Sequence, residues 1–324
     1  MNPAAEPALA VDGLGVRFGG AVAVDGVSLT LAGGAVTALI GESGSGKSAT
    51  LLAIAGLLPA TAVVSGAVRL QGRSLLDMAE TERERTRGAG IGMVFQDPAG
   101  SLNPVLSVGN QVDEVLAVHR GLRGRAARRE TERLLAQVGI GDASRRARAY
   151  PHQLSGGMKQ RVAIAAALAA GPAVILADEP TTALDATVQA QVLDLLRGLV
   201  AKEGVALLLV THDLAVAAAV ADRVAVIYAG RIVEERTTAA LVERPAHPYS
   251  RALAEAALPF VAQGAAGRGR LPELPGRMAP AGGTGCAFAP RCALALDRCR
   301  AEAPRLEDVE DGLVACWRAG EAER

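Results

Sequence analysis

The sequence predicts an α/β fold built on a parallel sheet that is covered on both faces. Three observations carry this. "AVTALIGESGSGKSATLLAIAGLL" reads as a buried strand, a glycine-rich turn and a helix. "PAVILADEP" and "GVALLLVTHD" are continuous apolar runs ending in polar residues, the pattern of strands buried on both sides. At 324 residues, half of them hydrophobic, the chain can form one large domain and a smaller one.

Ahead of the first of these runs, "ALAVDGLGVRF" and "VAVDGVSLTL" are short, Val-rich and punctuated by turn residues, so strands are expected there. Between Asp97 and Arg161 the pattern becomes helical and Arg-rich. Leu134, Leu135 and Val138 recur near helical spacing, and an inserted helical subdomain is expected over about 97–165. The arginines from Arg120 to Arg129 are expected to form a solvated helix face. From about residue 240, Pro, Gly and Ala accumulate in "ERPAHPYS" and "QGAAGRGRLPELPGRMAPAGG". This marks a linker and a loop-rich terminal module, dividing the chain into about 1–240 and 241–324.

Composition narrows the partners. Thirty-four basic residues balance 34 acidic ones, so no global field argues for nucleic acid or an anionic membrane surface. "MNPAAEPALAVDGL" has no basic region followed by an apolar run, and a cytosolic protein with reduced thiols is expected. The uncharged run between Lys47 and Arg69 is interrupted by Gly56, Pro59 and Gly66, and the run from Val162 to Ala177 by Gly171-Pro172, so no membrane span is expected.

"GESGSGKS", Gly41 to Ser48, fits the Walker A pattern and lies between a predicted strand and a helix, the context that motif requires. Its glycines let backbone N–H groups converge on phosphate oxygens, and the helix N-terminus adds partial positive charge. Lys47 is placed to reach the β- and γ-phosphates and Ser48 to ligate Mg²⁺. "AVILADEP" supplies the second half of such a site, an apolar strand ending in Asp178 and Glu179. Of two adjacent carboxylates, one serves the metal and the other can accept a proton from an attacking water.

With these residues in view, the chain resembles the ATP-binding subunits of ABC transporters. "LSGGMKQR", Leu154 to Arg161, is similar to the ABC signature, "VFQDP" carries the Q-loop residue Gln96, "TTALD" resembles the D-loop ending in Asp185, and "VTHD" supplies His212 as the switch histidine. "QDPAGSLNPVLSVGNQ", "YPHQLSGGMKQRVAIAAALA", "HPYSRAL" and "GCAFAPRC" extend the resemblance to the oligopeptide/dipeptide/nickel importer group. The resemblance implies a P-loop ABC ATPase core with an antiparallel β subdomain, and ATP held between two head-to-tail subunits. It implies that Phe18 stacks on adenine, that Gly41, Glu42, Ser43, Gly44, Ser45, Gly46, Lys47, Ser48 and Ala49 cradle the phosphates, and that Ser48, Gln96 and Asp178 hold Mg²⁺. Glu179 is implied as general base, with His212 and Gln96 beside the γ-phosphate, and Ser155, Gly156, Gly157 and Asp185 at the dimer interface. Lys159 and Ala186, for the commoner Arg and Val, are minor departures that touch no role.

Cys286, Cys292, Cys299 and Cys316 are all the cysteines of the chain, separated by five, six and sixteen residues. A reducing compartment disfavours disulfides. Zinc sites bring ligands in closer pairs, whereas four thiolates on an irregular loop suit a [4Fe–4S] cluster, although the spacing matches no standard ferredoxin run. The resemblance points to the cluster too; zinc and plain packing remain alternatives. The tail is expected to pack apart from the phosphate loop, so that loss of its metal leaves nucleotide binding intact.

The expectation is an ATPase subunit driving peptide uptake, peripheral on the cytoplasmic face of the inner membrane. Its expected partners are a second, paralogous ATPase subunit, two transmembrane permease subunits and an extracytoplasmic solute-binding protein, with no nucleic acid. A nickel or other small-solute importer is the alternative within the group. A soluble ABC ATPase of DNA repair or translation is opposed by the single cassette and short helical insert, and a non-hydrolysing regulator by Glu179 and His212.

Overall fold

A computed structural model of the chain describes residues 6–182, 184–263, 276 and 278–319. They form two compact units. The first is built from the residues up to Leu9, Leu31–Ala35 and Leu70–Leu208; the second from Ala10–Thr30, Val36–Arg69 and the residues from Leu209 onward. The strands are β1 (Leu9–Phe18), β2 (Ala21–Leu31), β3 (Val36–Ile40), β4 (Ala62–Leu70), β5 (Arg73–Ser74), β6 (Ile91–Val94), β7 (Val174–Asp178), β8 (Ala206–Thr211), β9 (Arg223–Tyr228), β10 (Arg231–Thr237), β11 (Glu307–Val309) and β12 (Gly312–Val314). A four-stranded sheet runs in the order β2-β1-β4-β5. Within the second unit the strands run in the order β11-β12-β10-β9-β3, and within the first unit β6 pairs with β7.

The three apolar runs of the sequence are strands, and they are buried as expected. Every residue of β3 and β8 is buried, as are the first four of β7. β3 lies parallel to β9, with Ile40 opposite Val226, and β6 lies parallel to β7, with Val94 opposite Ala177. The register of β6 and β7 brings Gln96 and the pair Asp178-Glu179 to the same carboxyl edge of the sheet, where ligands of open α/β sheets bind.

In the first unit the helices Val108–Arg120, Gly124–Gln137 and Gly156–Ala169 form the insertion. Leu116, Leu134, Leu135, Val138 and Val162 are its buried core. The arginine face is solvated as expected. Arg120 and Arg133 both pair with Glu130, at 2.8 and 2.9 Å, and hold its carboxyl at about 2.

The expected linker falls largely on residues 264–275 and 277, outside the described residues, but the stretch ahead of it is not the loop expected. "PYSRALAEAALPFVAQ" is a helix, Pro248–Gln263. Its alanines favour helix, and Pro248 stands at the first position, where the missing N–H costs nothing, while Pro259 lies within the helix. The cysteine segment also does not pack apart. β12 pairs antiparallel with β10, with Val314 opposite Glu234, and so extends the larger sheet. Three-residue strands with one buried side chain give too short a pattern to read from sequence.

A buried polar junction holds this extension. Glu234 is fully buried and accepts the N–H groups of Ala246 and His247, each at 2.8 Å. Arg236 donates to the carbonyls of Arg244 and Glu310. His247 Nδ1 accepts the N–H of Tyr249 at 3.0 Å, and its ring lies 5.8 Å from that of Phe288. Burial pushes the His247 pKa down to about 3.

That depression makes the fold acid-sensitive. The unfolded histidine takes a proton below about pH 6.5 and the folded one does not, so stability present at pH 7 is lost as the pH falls, by about 2 kcal/mol at pH 5. His247→Asn keeps an acceptor for the Tyr249 N–H but cannot titrate. Thermal melts of both proteins from pH 7 to 5 should show a shallower decline for the variant; parallel declines would refute the assignment.

Candidate active site

The second unit holds the phosphate loop. It leaves β3 at Ile40 and enters the helix α1 (Lys47–Ala55) through Gly46, whose φ is 106°. Side chains are excluded along the loop by packing. A Cβ on Gly41 would meet the Ile227 carbonyl at 2.3 Å, and one on Gly46 the Ala23 carbonyl at 2.6 Å. Lys47 is only 6% exposed, and its ammonium donates to the carbonyls of Gly41 and Glu42, at 2.7 and 2.9 Å. The lysine is thus folded over its own loop, ready to exchange two carbonyl oxygens for phosphate oxygens. Ser45 Oγ is buried with no hydrogen-bond partner, while Ser43, Gly44 and Ser48 are exposed and Ala49 half-buried. A loop of exposed backbone with a buried lysine fits a polyphosphate. Phe18 ends β1 and is 37% exposed, which excludes a core role and leaves its ring free to stack. His212 follows β8 and is exposed, just ahead of a helix capped by Asp213.

The first unit holds the carboxylates. Glu179 has φ 42°, a left-handed conformation that a residue with a side chain adopts only at a cost of about 1–3 kcal/mol. Its Oε2 accepts from Gln96 Nε2 at 3.2 Å and from the Thr182 hydroxyl at 2.8 Å. Asp178 ends β7 and is half-buried. Ser155 caps the helix Gly156–Ala169 and Asp185 caps the helix Ala186–Glu203, each accepting a backbone N–H of the first turn. A Cβ on Gly157 would come within 2.4 Å of Val188, so this turn must be glycine.

The cysteines converge. All four line one cavity of about 20 Å³ together with His247, Phe288 and Trp317, and none is in a disulfide. Each sulfur accepts a backbone N–H nearby in sequence. Leu296 donates to Cys299 and Arg318 to Cys316, both at 3.4 Å, while Phe288 and Ala289 donate to Cys286 and Leu294 to Cys292. Burial raises the thiol pKa values of Cys286 and Cys292, and that of Cys316 to about 11. Among the described residues no three His, Cys, Asp or Glu side chains are placed to hold a single metal ion.

Comparison with known proteins accords with this geometry. Residues 24–182 match the ABC transporter family model, and residues 233–299 match the model of the oligopeptide/dipeptide transporter C-terminal region. The chain is 46% identical over 312 residues to the dipeptide transport ATP-binding protein DppD of Escherichia coli (strain K12), covering 94% of each. The chain belongs to the ABC transporter family. It is also 47% identical to the oligopeptide transport ATP-binding protein OppD of Mycobacterium tuberculosis, over 96% of this chain but 52% of that protein, so it spans about half the length of that relative. Among solved structures it resembles the ATP-binding cassette MJ0796, a dimer in a post-hydrolysis state bound to ADP and phosphate, with TM-score 0.63 and 32% identity over 71% of this chain and 98% of that one. It also resembles cbiO1 of Clostridium perfringens, with TM-score 0.65 and 29% identity over 74% of this chain and 92% of that one. The fold is therefore that of an ABC ATPase.

Within this ABC chain the structure adds residues that motif reading missed. Thr182 lies three positions beyond Glu179, a spacing that carries no signal of its own. Glu42 reads as one more loop residue, yet its carboxylate accepts from Arg291 Nη1 at 2.9 Å and its N–H donates to Tyr249 Oη at 2.9 Å. Arg291 also donates to Tyr228 Oη at 3.2 Å. These contacts span 249, 207 and 63 residues, which no local pattern reveals.

If Thr182 fixes the Glu179 carboxylate, Thr182→Val should lower kcat for ATP about 10-fold with little change in KM, because misplacing a reacting group costs rate rather than binding. Steady-state kinetics of the assembled ATPase check this; an unchanged kcat would remove Thr182 from the site.

Proposed function

We propose that this chain is the ATP-hydrolysing subunit that powers uptake of peptides through a membrane ABC importer. In that reading an ABC nucleotide-binding domain over about 1–240 precedes a C-terminal importer module over 241–324, and the near full-length likeness to a dipeptide transport ATP-binding protein supports the cargo class. The observation that carries hydrolysis is the Glu179 carboxylate, held by Gln96 and Thr182 beside Asp178. Phe18 stacks on adenine, the N–H groups from Gly41 to Ala49 receive the phosphates, and Lys47 turns from its loop carbonyls to the β- and γ-phosphates. Ser48, Gln96 and Asp178 would hold Mg²⁺, which when bound neutralises phosphate charge. Glu179 accepts the proton of the attacking water, and His212 donates to the γ-phosphate. Ser155, Gly156, Gly157 and Asp185 serve the nucleotide of a paralogous subunit in a head-to-tail dimer, as helix N-termini suit anions.

The partners are that second subunit, two transmembrane permease subunits and, through the complex, an extracytoplasmic solute-binding protein. Among the described residues no helix is long and apolar enough to cross a membrane. The chain is accordingly read as peripheral on the cytoplasmic face of the inner membrane.

Glu179→Gln should retain ATP binding and lose turnover at least 100-fold, because it removes the base and keeps the metal shell. Lys47→Ala should instead lose nucleotide affinity. Turnover of the Glu179 variant near wild type, with the partner's site inactivated, would overturn the assignment.

The four cysteines are read as ligands of a [4Fe–4S] cluster. The support is the set of four cysteines lining one cavity, since Cys₄ is the usual ligand set of such a cluster. Anaerobically purified protein should be brown, absorb near roughly 400 nm and carry about four irons per chain. Cys292→Ser or Cys299→Ser should remove the iron. Stoichiometric zinc, or no metal under anaerobic handling, would end this reading.

A further inference from the structure

The thiol segment and the phosphate loop share an ion pair. Arg291 ends the turn Ala289–Arg291, directly before Cys292, and its Nη1 donates to Glu42 Oε2 at 2.9 Å. Glu42 follows Gly41, and its carbonyl accepts a hydrogen bond from the Lys47 ammonium. The Arg291 side chain is 5% exposed, so water screens the pair poorly, and separating it would strand a buried charge.

A second route reinforces the first. The Glu42 N–H is held by Tyr249 Oη, and Arg291 reaches Tyr228 Oη. Phe288, two residues after Cys286, lies 5.3 Å from the Tyr228 ring and 5.4 Å from the Tyr249 ring. The N–H and the carboxylate of Glu42 are thus fixed by groups seated on the turn between Cys286 and Cys292. Any change that draws these two sulfurs together or releases them acts on that turn.

We propose that Arg291 is a positioning residue for the phosphate loop, and that its ion pair with Glu42 makes nucleotide affinity depend on whether the four-thiol segment is filled with metal. This rests on the loop being the nucleotide site and on the four thiols holding metal, and a wild-type chain free of both iron and zinc would overturn it. A filled segment holds the turn, Arg291 holds Glu42, and the loop stays shaped for phosphate. An emptied segment frees the turn and weakens nucleotide binding. The coupling is reciprocal, so nucleotide must also be felt at the thiols. Trp317 is the chain's single tryptophan, lines the thiol cavity and lies 3.3 Å from the Arg298 guanidinium, which makes it a natural reporter.

The test is a set of double-mutant cycles on the full chain, purified anaerobically, with iron and zinc measured in every sample and a fluorescent ATP analogue as probe. Glu42→Ala and Arg291→Met should each weaken binding about 10-fold, and the double variant should be no weaker than either, since both remove one interaction. Arg291→Lys should recover part of the loss. Cys292→Ser should weaken binding in the wild-type background and change nothing in the Glu42→Ala background. Trp317 emission should shift when nucleotide is added to the wild type and stay still in Glu42→Ala.

Additive losses from Glu42→Ala and Arg291→Met would overturn the proposal. So would a Cys292→Ser effect that is absent, or equal in both backgrounds, or a Trp317 signal blind to nucleotide in the wild type. If Arg291→Met does not fold, the Glu42–Cys292 cycle decides alone. Lys47→Ala separates the two readings. Retained affinity in that variant would defeat the nucleotide-site assignment itself, whereas lost affinity with independent Glu42 and Cys292 effects would defeat only the coupling.

Discussion

A loop that binds phosphate through backbone N–H groups must keep side chains away from the anion, and here it does so by packing backbone directly on backbone. Gly41 lies against the Ile227 carbonyl of β9 and Gly46 against the Ala23 carbonyl of β2. The Gly230 N–H, in the turn after β9, donates to the Ser45 carbonyl at 2.8 Å. The loop's shape is therefore set by the pairing of β3 with β9 and by the turn that starts β10. A methyl group at either glycine would push the loop off these supports, so the motif's glycines answer to tertiary packing as much as to the ligand.

The Glu179 carboxylate shows the same logic in the other unit. Glu179 sits in a left-handed conformation that costs free energy, and two hydrogen bonds fix its Oε2. Strain of this kind persists only where the surroundings over-determine it. Here β6 and β7 lie parallel in fixed register, so the residues that follow them, Gln96 and Glu179, come within hydrogen-bond reach across 83 positions of sequence. The carboxylate is thus held in one orientation by the fold itself.

The legible parts of this chain were those whose signal is local. Gly41 to Ser48 and Asp178-Glu179 each announce themselves within a few residues, because a turn or a strand end is dictated by its neighbours. The buried runs gave β3, β7 and β8 for the same reason. What the sequence hid depends on distance. Thr182 is an ordinary threonine until Glu179 turns left-handed beside it. Arg291 sits in a stretch whose cysteines draw attention to metal, and nothing local says that its charge is spent on Glu42. The helix Pro248–Gln263 was obscured by the prolines around it, although Pro248 at a first helical position is a start signal.

The tail is packed as part of the core and not as an appended module. An independent module would satisfy its own backbone and need only a tether. Here β12 completes the hydrogen bonding of β10, Arg236 bonds the Glu310 carbonyl, Phe288 is buried against two tyrosines and a histidine, and Arg291 is buried against the phosphate loop. Removing the tail would expose a sheet edge and leave Glu42, Tyr228 and Tyr249 without their cover. The core is therefore incomplete without the tail. A segment so placed cannot change its own state without changing the forces on the loop.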